Sequence, residues 1–125
     1  MSKGLPQIVK DNLEKCRSAA VAAVEVYNRP GPRFRTSHYV ILINLSWTAL
    51  FHAIFFKRGI HPWYKKSGKN PKGDRYIYVD GDPKHWELGE CLKQYYKTNN
   101  TPERKNLEFL IGLRNKIEHR YLPSL

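Results

Sequence analysis

Sulfur and acid are both scarce in this chain. Its two cysteines, Cys16 and Cys91, lie far apart in apolar or helical surroundings and neither belongs to a CxxC pair. That excludes a disulfide scaffold or a zinc ribbon and predicts a reduced, cytoplasmic protein in which each thiol behaves as a small hydrophobe. Eleven Asp and Glu against 22 Lys and Arg leave a net charge of +11, an attractive field for polyanions, and the chain offers no obvious metal cluster. No cofactor is expected. Residues Met1 to Lys10 lack an apolar signal core, and the longest apolar run, Val40 to Phe56, is interrupted by Asn44, Ser46, Thr48 and His52. No membrane span is expected.

What is present is enough for one folded domain covering residues 1–125. The 125 residues are 41% hydrophobic and include three Trp, eight Tyr and five Phe, so an apolar core forms without metal or disulfide staples. The positive charge is concentrated. Residues 29–75 contain ten basic side chains and the single acid Asp74, a local excess of +9. An attractive field of that size points to a polyanion, with nucleic acid the leading partner, against the alternative of a merely soluble basic surface. The candidate phosphate contacts are Arg33, Arg35, Lys57, Arg58, Lys65, Lys66, Lys69, Lys72 and Arg75.

The hydrophobic pattern is helical. Val9, Leu13, Cys16, Ala20, Val24 and Tyr27 recur at spacings of three and four, which predicts a helix from about Leu5 to Asn28, ended by Arg29-Pro30-Gly31-Pro32. A second helix, from about Thr36 to Arg58, is apolar in nearly every direction and is therefore buried on most sides. Residues 59–81 are rich in Gly, Pro and Lys and carry one short candidate strand, Arg75 to Val79, which makes them a basic hairpin-like or loop insertion. Asp82-Pro83 offers an N-cap with proline at the first helical position, opening a third helix to about Lys97, and Thr101-Pro102 repeats the device for a fourth, to about Tyr121. The expected class is all-α, a four-to-five-helix bundle with the insertion between the second and third long helices.

On the fourth helix Leu107, Leu110, Ile111, Ile117 and Tyr121 share one side, and Arg114 falls among them. From Arg114, Glu118 lies about 40° round the helix, Asn115 about 100° and His119 about 140°. The four polar groups thus form an arc that begins in the apolar face, where a guanidinium needs partners. One interpretation is an ordinary i,i+4 ion pair between Arg114 and Glu118 with His119 exposed near a helix end. The other is a catalytic set for RNA transesterification through the ribose 2′-hydroxyl. In that set His119 moves the proton, Arg114 clamps the phosphate, Asn115 positions one of them and Glu118 orients Arg114. Spacing alone is weak, because nine Arg and five His produce about 0.4 chance matches to R-x4-H. Arg33 and His38 share the spacing but straddle a Gly-Pro turn, so no single helical face presents them.

Arg114-Asn115-Lys116-Ile117-Glu118-His119 resembles the R-x4-6-H signature of HEPN domains, with a polar residue directly after the Arg and the same placement on the last helix. The segments Asn12 to Ala20, Glu25 to Asn28 and Trp47 to Ala53 resemble an uncharacterised prokaryotic, defence-associated branch of that superfamily. The resemblance implies a helical bundle, commonly a homodimer, acting as a metal-independent endoribonuclease with paired Arg-His motifs lining a cleft between subunits. It also implies toxin- or defence-type biology with a neutralising antitoxin or defence-system partner. A non-catalytic RNA-binding or dimerisation module is the alternative.

Three further groups stand out. Asn44, Thr48 and His52 follow at i, i+4 and i+8 along the second helix, either as a second layer behind the active site or as local backbone hydrogen bonders. In the insertion Trp63, Tyr64, Tyr76 and Tyr78 interleave with lysines, suited either to stacking on unpaired bases or to packing against the bundle. His61 and His85 flank it without a Cys or carboxylate partner at ligand spacing, a poor metal pair.

Overall fold

The structure, a computed structural model, describes residues 4–29, 35–66 and 76–119, with Arg35 and His119 described by their backbones alone. Four helices are present, α1 (Gln7–Asn28), α2 (Arg35–Lys57), α3 (Leu88–Tyr96) and α4 (Pro102–His119). Between α2 and α3 lies a two-residue antiparallel ladder, β1 (Tyr78–Val79) against β2 (Asp82–Pro83). The class is the expected one, an all-α bundle carrying a short hairpin between its second and third helices.

The α2 helix is central. Its Ser46 Oγ donates to the Cys16 carbonyl of α1 at 2.8 Å, and Ala49 and Ala53 follow Ser46 on the same helical face. With Ala19 and Ala23 buried on α1, these small side chains allow the two long helices to pack closely. On another side Phe51 and Phe55 meet Leu88, Cys91 and Leu92 of α3 and Leu107 of α4 in one buried cluster. By length and composition Thr36–Lys57 is apolar enough to cross a membrane. Here α2 packs against three other helices, yet 44% of that apolar window is buried and Ile41, Leu45 and Trp47 stay exposed, so burial on most sides, expected from its all-round apolarity, is not reached.

Helix ends follow local chemistry in one case and not in another. Thr101 Oγ1 accepts the Arg104 N–H at 3.2 Å and Pro102 is the first helical residue, as its sequence predicts. The Asp82-Pro83 pair does not open a helix. Asp80 (φ 51) and Gly81 (φ 86) both adopt left-handed backbone, so Val79 pairs with Asp82 across a two-residue turn, and α3 starts at Leu88. A turn with two positive φ values matches the strand twist and draws Asp82 and Pro83 into the ladder. Of the candidate strand, Tyr78 and Val79 form the ladder, Tyr76 makes an isolated bridge to Lys65, and Arg75 lies outside the described residues.

The hairpin is fastened to the bundle by its backbone and rings. Trp63 bridges to His85 and Lys65 to Tyr76, while the Trp86 N–H donates to the Pro62 carbonyl at 2.7 Å. Trp63 stacks on His61 at 4.4 Å and meets Tyr76 edge-on at 5.2 Å, and Tyr64 Oη accepts the Glu87 N–H. Trp63, Tyr64 and Tyr76 are half-buried and make these contacts within the insertion and with the residue before α3. Tyr78 is exposed.

Candidate functional site

The cleft of interest forms where α2, the start of α3 and α4 leave a gap of about 430 Å³. Ile41 and Leu45 of α2 and Ile111 of α4 form apolar wall, and Arg114 and Asn115 of α4 line the same space. Asn44, Thr48 and His52 line it from α2, and His85, Trp86 and residues 87–90 from the hairpin end and the first turn of α3. Five residues expected at or behind a site (Arg114, Asn115, Asn44, Thr48 and His52) therefore share one cavity, which Glu118 does not line.

Arg114 is less buried than the apolar stripe implies. Its side chain keeps 35% of its exposure, and one guanidinium nitrogen lies 3.0 Å from Glu118 Oε1. Facing a cleft instead of a sealed seam, the guanidinium stays partly hydrated, which is why one i,i+4 partner suffices. Asn115 is exposed, and α4 remains regular to its last residue, so the backbone of His119 sits one turn beyond Asn115. The side chain of His119 lies outside the described residues.

The polar stripe of α2 is a set of backbone clamps. Asn44 Nδ2 donates to Val40 in its own helix at 2.9 Å and to the Leu110 carbonyl of α4 at 3.3 Å, so it ties the two helices together. Thr48 Oγ1 donates to the Asn44 carbonyl at 2.8 Å. His52 Nε2 donates to the Trp86 carbonyl at 2.8 Å, which places the ring proton on Nε2 and leaves Nδ1 with its lone pair. Burial, with lesser contributions from His85 and Lys15 and against the pull of the Trp86 hydrogen bond, lowers the His52 pKa to about 4. His52 is thus a neutral acceptor at pH 7. Among the described residues Asn44 Oδ1 and Arg104 Nε are buried without a hydrogen-bond partner; Arg104 has the Glu108 carboxylate at 3.4 Å, whereas Asn44, only 3% exposed, has nothing for Oδ1, an omission that costs on the order of 1–3 kcal/mol.

His85 was legible only as a poor metal ligand, and its place is different. Its ring lies 5.3 Å from that of His52; Nδ1 donates to the Pro83 carbonyl at 3.0 Å and Nε2 accepts the Trp63 indole N–H at 3.2 Å. Both nitrogens are occupied. Among the described residues no group of three His, Cys, Asp or Glu side chains is placed to hold a metal. The first turn of α3 was not anticipated at all; the only signal for it is that Glu87 and Leu88 follow a tryptophan that caps the core.

The basic candidates divide. Lys57, Lys65 and Lys66 are exposed, and the Arg58 guanidinium lies over the Tyr95 ring, 5.1 Å from its centroid. Arg33, Lys69, Lys72 and Arg75 lie outside the described residues, as does the side chain of Arg35. No curated protein and no solved structure matches the chain. A family model does match it, across residues 11–125, and the chain belongs to that family, DUF3644, a domain of unknown function.

Proposed function

We propose that this chain is a metal-independent endoribonuclease of the HEPN type, acting as a homodimer. The observation that carries the proposal is the position of Arg114 and Asn115 on the wall of a 430 Å³ cleft instead of on an outer helix face. A cleft-facing guanidinium with a carboxylate at 3.0 Å is oriented and still wet enough to exchange that partner for a phosphate. In the proposed reaction His119 takes the proton from a ribose 2′-hydroxyl, and the 2′-oxygen attacks the adjacent phosphorus. The bond from phosphorus to the 5′-oxygen of the next nucleotide breaks, that oxygen takes up a proton from water while the His119 imidazolium returns its own to solvent, and the products are a 2′,3′-cyclic phosphate and a 5′-hydroxyl. Arg114 stabilises the charge that builds on the phosphoryl oxygens, Asn115 positions the phosphate or the imidazole, and Glu118 holds Arg114 between turnovers.

The overall charge of +11 supplies the long-range attraction for RNA, and a toxin- or defence-type role with a neutralising partner accords with a cytoplasmic enzyme of this kind. Purified protein incubated with mixed RNA in EDTA tests the proposal. Cleavage by the wild type and its loss in both Arg114→Ala and His119→Ala are expected; activity retained in both variants refutes the assignment. A second reading, a non-catalytic RNA-binding module, is favoured by the Arg114–Glu118 pair, which is complete without a ligand. It predicts binding that weakens with salt and no cleavage in any variant.

A further inference from the structure

A second groove, of about 500 Å³, shares Trp86 and Glu90 with the cleft as lining residues. Four half-buried rings, Trp63, Tyr64, Tyr76 and Trp86, line it, and backbone pairing sets their places. Trp63 bridges to His85 and Tyr76 to Lys65, the Tyr64 N–H donates to the Lys84 carbonyl at 2.9 Å, and the Trp86 N–H donates to that of Pro62. The groove is thus built by the fold itself. Rings that are half-buried beside open space suit a planar, unsaturated ligand, and the volume falls within the ~300–1,000 Å³ usual for small-ligand sites.

Glu90 and Gln94, one helical turn apart on α3, line the same groove. Gln94 Nε2 donates to Glu90 Oε2 at 2.8 Å, which sets the carboxylate beside the amide, and Lys93 Nζ lies 3.9 Å from Oε1. A carboxylate accepts about four hydrogen bonds, so two N–H groups of a ligand can join these. Burial raises the Tyr64 pKa, and the charges of Glu87 and Glu90 raise it further against the Glu87 N–H that the phenol accepts, so the Glu90 charge is felt at that ring. The ammonium groups decide the sign of the ligand. Lys65 lines the groove, Lys84 Nζ lies 5.3 Å over the Tyr64 ring, and Lys93 stands beside Glu90. Three cations against Glu87 and Glu90, on a chain of net charge +11, disfavour a methylated ammonium group, which the rings alone would suit. They favour an aromatic ligand that carries negative charge.

We infer that this groove binds a guanine nucleotide, with its base among the rings, its N1–H and N2–H donating to the Glu90 carboxylate and its phosphate drawn to Lys65. Among the RNA bases guanine alone sets two N–H donors side by side on its Watson–Crick edge. Adenine and cytosine place a ring-nitrogen acceptor next to their amino group, and uracil flanks its single N–H with carbonyls, so each turns an acceptor toward the carboxylate. The Gln94 amide keeps a second N–H for guanine O6. That the nucleotide belongs to an RNA strand rests on the RNA-cleaving reading above, whereas the guanine groove stands on its own residues. Because Trp86 and Glu90 also line the cleft, a strand held here leads toward the space that Arg114 borders.

The test follows indole and side-chain amide resonances of the full-length, isotope-labelled protein during titration with the 5′-monophosphates of guanosine, adenosine, cytidine and uridine, and with tetramethylammonium. Guanosine monophosphate is expected to move the Trp63 and Trp86 indole signals and the Gln94 amide, and to bind about tenfold or more tighter than the other three. Glu90→Gln removes that preference while adenosine monophosphate binds as weakly as before, and Lys93→Ala, which frees Oε1, keeps it. Equal binding of the four nucleotides, an unchanged preference in Glu90→Gln, or tetramethylammonium bound in their place overturns the assignment. Trinucleotides separate the two sources: ApGpA bound more tightly than guanosine monophosphate marks a strand and no gain marks a free nucleotide, both supporting the groove. Guanylate bound by a protein that cleaves no RNA supports the groove and removes the ribonuclease reading. Cleavage by a protein that binds no guanylate does the reverse.

Discussion

Acid should loosen this fold through one imidazole. His52 has a pKa of about 4 in the folded chain, against an ordinary 6.5, because burial disfavours its charged form. Between those values the unfolded chain binds a proton that the folded chain refuses, so folding stability falls as pH drops from about 6.5 toward 4 and levels off below. The span amounts to about 3 kcal/mol. His52→Gln isolates it, because a glutamine amide retains a donor for the Trp86 carbonyl and does not titrate. Urea unfolding of both proteins at several pH values between 7.5 and 4 gives the difference in stability, from which titrations elsewhere cancel. Wild type should lose about 3 kcal/mol relative to His52→Gln across the window. A difference that stays constant with pH, or one that grows toward neutral pH, refutes the account of His52 as a buried neutral acceptor.

Other consequences are simpler to check. Phe55→Ala removes a fully buried ring from the cluster shared by α2, α3 and α4 and should cost about 3–5 kcal/mol in urea unfolding. Glu118→Ala, which breaks a half-exposed i,i+4 pair, should cost about 0.5 kcal/mol or less, so any larger effect on RNA cleavage is not an unfolding effect. Cys91 is buried with its thiol pKa pushed up to about 12, so iodoacetamide at pH 8 should label Cys16 in the native protein and leave Cys91 unmodified until urea is added. Gly81→Val, at φ 86 in the hairpin turn, should destabilise by about 1 kcal/mol or more and disturb the His85 resonances before those of α1.

The helices were legible because their causes are local. Three-and-four spacing marks α1, Thr101-Pro102 marks the start of α4, and the all-round apolarity of α2 marks its central place. The start of α3 was not, because two local signals compete at Asp80 to Pro83: a cap followed by proline, and an Asp-Gly turn. The turn prevails once the residues on either side have a ladder to complete. The candidate site was readable on α4 and along Asn44, Thr48 and His52, where periodicity sets the face. Its third wall was not, since the hydrogen bond from His52 to Trp86 joins residues 34 positions apart and leaves no trace in either local pattern. Nor does spacing reveal that the Arg114 guanidinium borders open space, which depends on the gap that three elements leave between them.

The ends of the RNA fragments test the central claim most directly. A defined oligoribonucleotide incubated with the wild-type protein in EDTA, with products resolved by mass spectrometry, should yield fragments ending in 2′,3′-cyclic phosphate and beginning with 5′-hydroxyl, and Arg114→Ala should yield none. Fragments with 3′-hydroxyl and 5′-phosphate ends, or intact RNA with the folded wild-type protein, contradict it.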